Sequence, residues 1–458
     1  MMDNTLLWLA AMVYVFVVWK ATPKKIEATQ FFSGQSSKNS DPAFWLVVAS
    51  AAITWIFAKS IVNAANLTYA FGIWGGIGYA TYYLSFFVAA IAIYFIRVRG
   101  GHTSLSGFLI HKYGVFAAKL FLIAIAIRLY NEVWSNTKVV GLFFGDEGSA
   151  GYWTAATLFT LFTVAYSHRS GLRGSLLTDG VQMLLAGFLL AVILLAIFPT
   201  VSGQWPQVSP AESAAGVTFV FLALTQVLSY PFHDPVLTDR AFLLSPKRML
   251  KAFVIAGVIA GGFILLFGLV GMHGRAVGFE GQNVTMSVAT SLGLPLLLVF
   301  NVLMLTSAGS TLDSTFASTA KLSAKDWKEN KDDNSAVLTG RKAIIWIAVL
   351  GNLPLLSVYF GDSIGPAVIK ATTISGTMVM GLAPIFLLSF LPARRSSFHL
   401  TFWPGILFGV LLAFMPEVFP ESWQMGEGKY ALSLGVNIYG LLICTFGYIV
   451  GCGFNKKP

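Results

Sequence analysis

The sequence predicts an all-α polytopic membrane protein of about thirteen transmembrane helices, with its N-terminus outside and its C-terminus in the cytoplasm. Composition is the first reason. Of 458 residues, 56% are hydrophobic and 11% charged, and mean hydropathy is +0.73, whereas a soluble domain carries roughly 25% charged residues. Spacing is the second. Apolar stretches recur near residues 5–19, 44–68, 73–97, 115–143, 151–167, 174–198, 214–232, 251–272, 286–320, 341–359, 364–391, 398–415 and 432–453, most of them long enough for a hydrocarbon core about 30 Å thick. Charge placement is the third. Segments 20–42, 97–119, 169–173, 240–251, 321–342, 394–395 and 456–457 hold 24 of the 30 basic residues, while Arg275 and Lys429 fall in the alternate loops with Asp146, Glu147, Glu417, Glu421 and Glu427. Cytoplasmic loops concentrate Lys and Arg, so that partition sets the orientation. The net charge of +10 follows from the same bias and calls for no nucleic-acid partner.

The first span is short, and a polar linker from Lys20 to Pro42 follows it; no cleavable signal is expected, because Met1 to Asn4 lack basic residues. The second span carries helix-breaking signals at mid-membrane, with Asn63 and Asn66 among small residues and Gly72, Gly75 and Gly76 beyond. In the fourth, Arg128 and Glu132 are four apart and placed to pair on one helix face. The sixth holds Asp179. The seventh ends Ser229, Tyr230, Pro231, where proline removes a backbone donor and clashes with the preceding turn. The two interrupted spans are five apart, the spacing of two inverted five-helix repeats that each begin with a broken helix. Such breaks free carbonyls for cations near the bilayer midplane in transporters, although two ordinary kinked helices would leave the same trace. Lys370 falls in the eleventh span. Cys444 and Cys452 lie eight apart in the thirteenth, too far to pair within one helix.

The ninth span bears the sharpest pattern. Ser307, Ser310, Thr311, Ser314 and Ser318 lie within roughly ±60° of one line along a helix, with Asp313 on the flank. Unpaired polar groups in lipid cost several kcal/mol, so this stripe faces protein, water or an ion. Five hard oxygens beside a carboxylate suit a small cation; helix–helix hydrogen bonding is the plainer use. No HExxH or P-loop motif occurs, which removes the usual marks of a metalloprotease and an ATP-driven pump; the one GxSxG match, Gly361 to Gly365, lacks the strand-then-helix pattern that a serine hydrolase's nucleophile elbow requires. The chain is read as a transporter and not an enzyme.

Several segments resemble the sodium/solute symporter family over roughly residues 44–391. Gly171, Gly174, Thr178, Asp179 and Gln182 resemble its "GG…A…TD…Q" signature, and Ser310, Thr311 and Ser314 followed by Asp326 resemble its "STxxS…D" span. Asp239 to Leu243 with Lys247 and Lys251 resemble "QRxLxAKDxKxA", and Thr103 with Phe108 to Gly114 resemble "T..EFLxxRYG". Trp55 to Gly75 most resemble the urea-transporter branch. The resemblance implies a LeuT-like 5+5 inverted-repeat core: a peripheral helix and linker (1–42), two repeats (43–198 and 199–392) and two additional C-terminal helices (393–458). It implies sodium-coupled symport of a small polar organic solute by alternating access, in the inner membrane of a bacterium, with the bilayer, the solute and Na+ as partners and no obligate protein partner. Carried over, the sodium ligands are the carbonyls of Val62, Ala65 and Ser307 and the hydroxyls of Ser310 and Thr311. Asp179 matches the aspartate on the ion path, and Asp313 and Ser314 stand beside it where some members bind a second ion.

Lys59 departs from the family pattern. It is placed one turn on the cytoplasmic side of the break, where Asp179 or Asp313 is a candidate partner for its buried charge. It would then carry protons, compete with sodium or anchor an anionic substrate. Asn63, Asn66, Asn131, Glu132, Gln226 and Tyr230 are the candidate substrate contacts, between the broken helices and the fourth span. The rival readings are a proton-coupled or uncoupled carrier in which Lys59 replaces sodium, and a membrane sensor that has lost transport.

Overall fold

The computed structural model describes residues 4–36, 40–203, 205–279, 283–329, 332–361 and 375–453; Lys370 lies outside them. All regular structure among them is helical. Helix α1 (Asn4–Ala21) and the short α2 (Ala28–Ser33) precede α3 (Phe44–Trp55) and α4 (Ala58–Phe71), which meet at 56°. Then come α5 (Ile73–Thr81), α6 (Ser85–Gly100), α7 (Leu105–Tyr113), α8 (Val115–Leu142) and α9 (Ala150–Gly203). They are followed by α10 (Pro210–Gln226), α11 (Pro235–Arg240), α12 (Pro246–Ala276), α13 (Val284–Ser291), α14 (Leu294–Lys321) and α15 (Asp333–Gly351). Helices Arg395–Phe414 and Ala431–Gly453 close the chain and pack on each other.

Among the described residues, seven helices are long and apolar enough to cross a membrane, or eight with α3 and α4 taken as one bent span. Each of the thirteen predicted spans overlaps a helix. Helix α9 accounts for two of them. Its 54 residues would reach about 80 Å if straight, and Gly171 turns it with φ of 50°. A side chain there would stand 2.5 Å from the Phe31 carbonyl, so the kink requires glycine.

Helices α14 and α12 form the centre. Helix α14 runs against α9 and α8, and α12 against α4, α6 and α3. Every residue of α14 from Leu303 to Ala320 is buried, so its hydroxyl stripe faces protein and not lipid. Helices α4 and α12 touch backbone to backbone: a Cβ on Gly271 would meet the Ala65 carbonyl at 2.0 Å. Close approach through small residues is how membrane helices gain packing energy where lipid competes for apolar surface. The predicted interruption near Pro231 is present: α10 ends at Gln226, a short 3-10 turn covers Tyr230–His233, and Asp234 caps α11 through a 3.3 Å bond from Leu237 N–H.

Candidate functional site

The second span breaks at Ile56 and Phe57, not at the asparagines 63 and 66. Residues 53–58 include no glycine or proline; neighbouring helices enforce the break. Tyr83 Oη donates to the Trp55 carbonyl at 2.6 Å, Ser307 Oγ donates to the Ile56 carbonyl, and Asn136 Oδ1 accepts the Ala58 N–H at 3.0 Å. Each takes up a backbone group that an unbroken helix would have satisfied itself. Val62 and Ala65 therefore sit inside regular α4, beyond the break, where helical hydrogen bonds engage their carbonyls. The carbonyls that meet the stripe belong to Ile53, Thr54 and Ile56.

These carbonyls and the stripe form a compact set of oxygens. Ser310 Oγ lies 3.3 Å from the Ile53 carbonyl and 3.0 Å from that of Ser307; Thr311 Oγ1 lies 3.5 Å from the Thr54 carbonyl and 3.0 Å from that of Ser307. All these groups are buried. A hard cation bound at about 2.4 Å spaces neighbouring oxygens of an octahedron about 3.4 Å apart. The Ser310–Ile53 and Thr311–Thr54 separations of 3.3 and 3.5 Å lie near that spacing, whereas Ser307 Oγ is hydrogen-bonded more closely to the Ile56 carbonyl; all these oxygens are neutral.

One turn along the stripe, Asp179, Asp313 and Ser314 come together around Arg240, a residue whose role the sequence did not disclose. Arg240 Nη2 donates to Ser314 Oγ at 2.6 Å and to Asp179 Oδ2 at 3.2 Å, while its Nε donates to Ser50 Oγ at 2.7 Å. Asp313 turns towards α9, where Tyr166, Thr178 and Ser175 donate to it at 2.8–3.0 Å. Asp179 Oδ1 has no hydrogen-bond partner among the described residues. Of these two buried carboxyl groups only Asp179 pairs with the guanidinium, and Asp313 is held by hydroxyl donors; a buried charge left uncompensated is costly. Beyond it, Ser318 donates to Asp239 at 2.8 Å and Lys321 pairs with the same carboxylate, while Ser106 donates to Asp326 at 2.5 Å.

Lys59 joins neither carboxylate of that cluster. It lies past the break, in the first turn of α4, where its ammonium donates to Asn131 at 2.9 Å and Glu132 at 2.7 Å. Arg128 bonds the same Glu132, as its spacing predicted, and reaches Asp234 at 3.0 Å. Beside this group is a cavity of about 740 Å³ that extends to Lys138, Lys429 and Tyr430. Asn63, Asn66, Asn131, Gln226 and Tyr230 line it, whereas Glu132 stands behind the wall. Gln226 accepts from Tyr82 Oη at 2.5 Å, and Asn66 accepts the Val284 N–H at 3.2 Å. Trp55, Tyr79 and Tyr82, also in the lining, carried no sequence signal beyond their aromaticity. A second cavity, of about 780 Å³, lies between α6, α7 and residues 386–393 and includes none of these groups.

The architecture is shared with solved transporters. A Na+-coupled sialic acid symporter, solved substrate-bound and outward-open with a novel Na+-site, superposes with a TM-score of 0.72 at 13% identity, covering 100% of this chain and 98% of that one. Mhp1, a nucleobase-cation-symport-1 family transporter, superposes at 0.56 in a closed conformation with bromovinylhydantoin bound, with 13% identity and 95% and 96% coverage. Inward-facing Mhp1 gives 0.52, 14% identity and 92% and 93% coverage. The fold is the LeuT-like one predicted. No protein-family model matches the sequence, and no curated protein matches it.

Proposed function

We propose that this chain is a secondary active symporter that couples sodium entry to uptake of a small polar organic solute by alternating access. In this reading it belongs to the sodium/solute symporter family, spans a bacterial inner membrane thirteen times with its N-terminus outside, and repeats one five-helix unit over 43–198 and 199–392. The observation that carries it is the meeting of carbonyls from the last turn of α3 and the break with a buried hydroxyl stripe. Sodium is bound by the carbonyls of Ile53, Ile56 and Ser307 and the hydroxyls of Ser310 and Thr311. Asp179, Asp313 and Ser314 form the ion's onward path towards Ser318 and the basic face. Asn63, Asn66, Asn131, Gln226 and Tyr230 contact the solute in the adjoining cavity, and Glu132 holds Lys59 in place. Pairing of Lys59 with Glu132 and Asn131, away from the stripe, favours sodium over a carrier in which lysine replaces the ion.

Reconstitution in proteoliposomes tests the proposal. An inward sodium gradient drives solute accumulation across a panel of urea, amino acids and carboxylates, and matched potassium or proton gradients do not. Accumulation under a proton gradient without sodium would replace this reading with the proton-coupled one.

A further inference from the structure

The cavity beside the break has a definite charge. Among the described residues its lining includes Lys59, Arg128, Lys138 and Lys429 and no carboxylate. The acids paired with these cations stand away from the lumen: Glu132 and Asp234 are each 1% exposed, and Glu147 holds Lys138 from outside the lining. Arg128 is committed to Glu132 and Asp234 and is held between the rings of Phe57 and Tyr230, with 3% of its side chain exposed. Lys59 is presented differently. Its side chain is 19% exposed, and two of its three N–H donors go to Asn131 and Glu132.

Lys59, Glu132, Arg128 and Asp234 are neutral as a set but polarised, cations towards the lumen and carboxylates towards the protein. Walls of low dielectric focus such a field into a cleft. The remaining lining combines the rings of Trp55, Tyr79, Tyr82 and Tyr230 with amide groups. A zwitterion entering it would bring an ammonium with no lining carboxylate to meet it. A neutral solute would offer the lumen-facing ammonium of Lys59 only an uncharged acceptor, where a carboxylate makes the stronger charge-assisted bond.

Resting on the transport reading and specifying its solute, we propose that the protein carries a small organic carboxylate, whose carboxylate group binds the Lys59 ammonium while its body lies among the aromatic rings. Arg128 is a positioning residue that fixes Glu132, and through it Lys59.

Thermal unfolding of the purified full chain separates the two layers. The first arm compares sodium chloride with potassium chloride. The second adds, in sodium, acetate, pyruvate, lactate or benzoate, each against its neutral amide, and glycine and alanine as zwitterions. Ligand binding to the folded state raises the midpoint according to concentration over dissociation constant. Sodium raises the midpoint; at least one carboxylate raises it further, and its amide does not. Lys59→Gln weakens that carboxylate about tenfold or more, the loss expected of a charge-assisted bond, and Lys59→Arg restores most of it. Amides or zwitterions matching the carboxylates, no carboxylate response, or an unchanged carboxylate constant in Lys59→Gln would overturn the solute assignment while a sodium response leaves the transport reading standing. Absence of a sodium response overturns the transport reading itself. If Lys59→Gln does not accumulate, the carboxylate-against-amide comparison on the unaltered protein decides.

Discussion

Replacing Arg240 by glutamine strips the guanidinium from a cluster in which Arg240, Asp179 and Asp313 are all 0% exposed. Ser50 and Ser175 remain as neutral donors to Asp179, but the 3.2 Å ion pair to its Oδ2 is gone. Breaking a buried pair by removing one partner costs about 3–5 kcal/mol, because the surviving charge stays in a low-dielectric site. Unfolding entropy of about 2.1 cal/mol/K per residue amounts to about 1 kcal/mol/K for 458 residues. The midpoint of Arg240→Gln therefore falls by about 3–5 °C in detergent. Asp179→Asn in the same chain removes the stranded charge, and the double variant recovers at least half of the loss. That rescue separates electrostatic pairing from mere packing, since two independent losses would add. An Arg240→Gln midpoint within about 1 °C of the parent, or a double variant as poor as the sum of its singles, would refute the reasoning.

Two further outcomes follow from the packing. Gly271→Ala places a methyl group 2.0 Å from the Ala65 carbonyl; overpacking of this kind costs about 1–3 kcal/mol, and thermal melting shows a midpoint lowered by about 1–3 °C. Lys321→Gln unlatches Asp239, which also holds Ser318. In a chain freed of Cys444 and Cys452, thiol labelling at Ser318→Cys becomes faster in the Lys321→Gln variant, and an unchanged rate would remove that pair from the path.

Much of this architecture was legible because lipid leaves little choice. A membrane helix must present an apolar surface to lipid, so the spans stand out, and Pro231 lies in the short turn that follows the end of α10. The stripe from Ser307 to Ser318 was readable for the same reason: hydroxyls in register on an apolar helix have to face something polar. The break at Ile56 was not readable. Its causes are Tyr83, Asn136 and Ser307, side chains on three other helices, and the asparagines at 63 and 66 drew attention to a stretch that is regular helix. Arg240 was counted among the basic residues that set orientation, because its charge looks like any other loop-flanking cation until α11 folds it inwards. Lys59 meets Glu132 and Asn131 instead of Asp179 or Asp313 because the break precedes it, at Ile56 and Phe57, and places it in the first turn of α4.

On the proposed reading, Ile53, Ile56, Ser307, Ser310 and Thr311 together bind one sodium ion. Equilibrium binding of radioactive sodium to the purified protein tests it most directly. The expected result is saturable binding that equimolar potassium does not displace and that Ser310→Ala combined with Thr311→Ala abolishes, each lost hydroxyl weakening affinity about tenfold or more. Sodium bound by that double variant with the parent's affinity would contradict it.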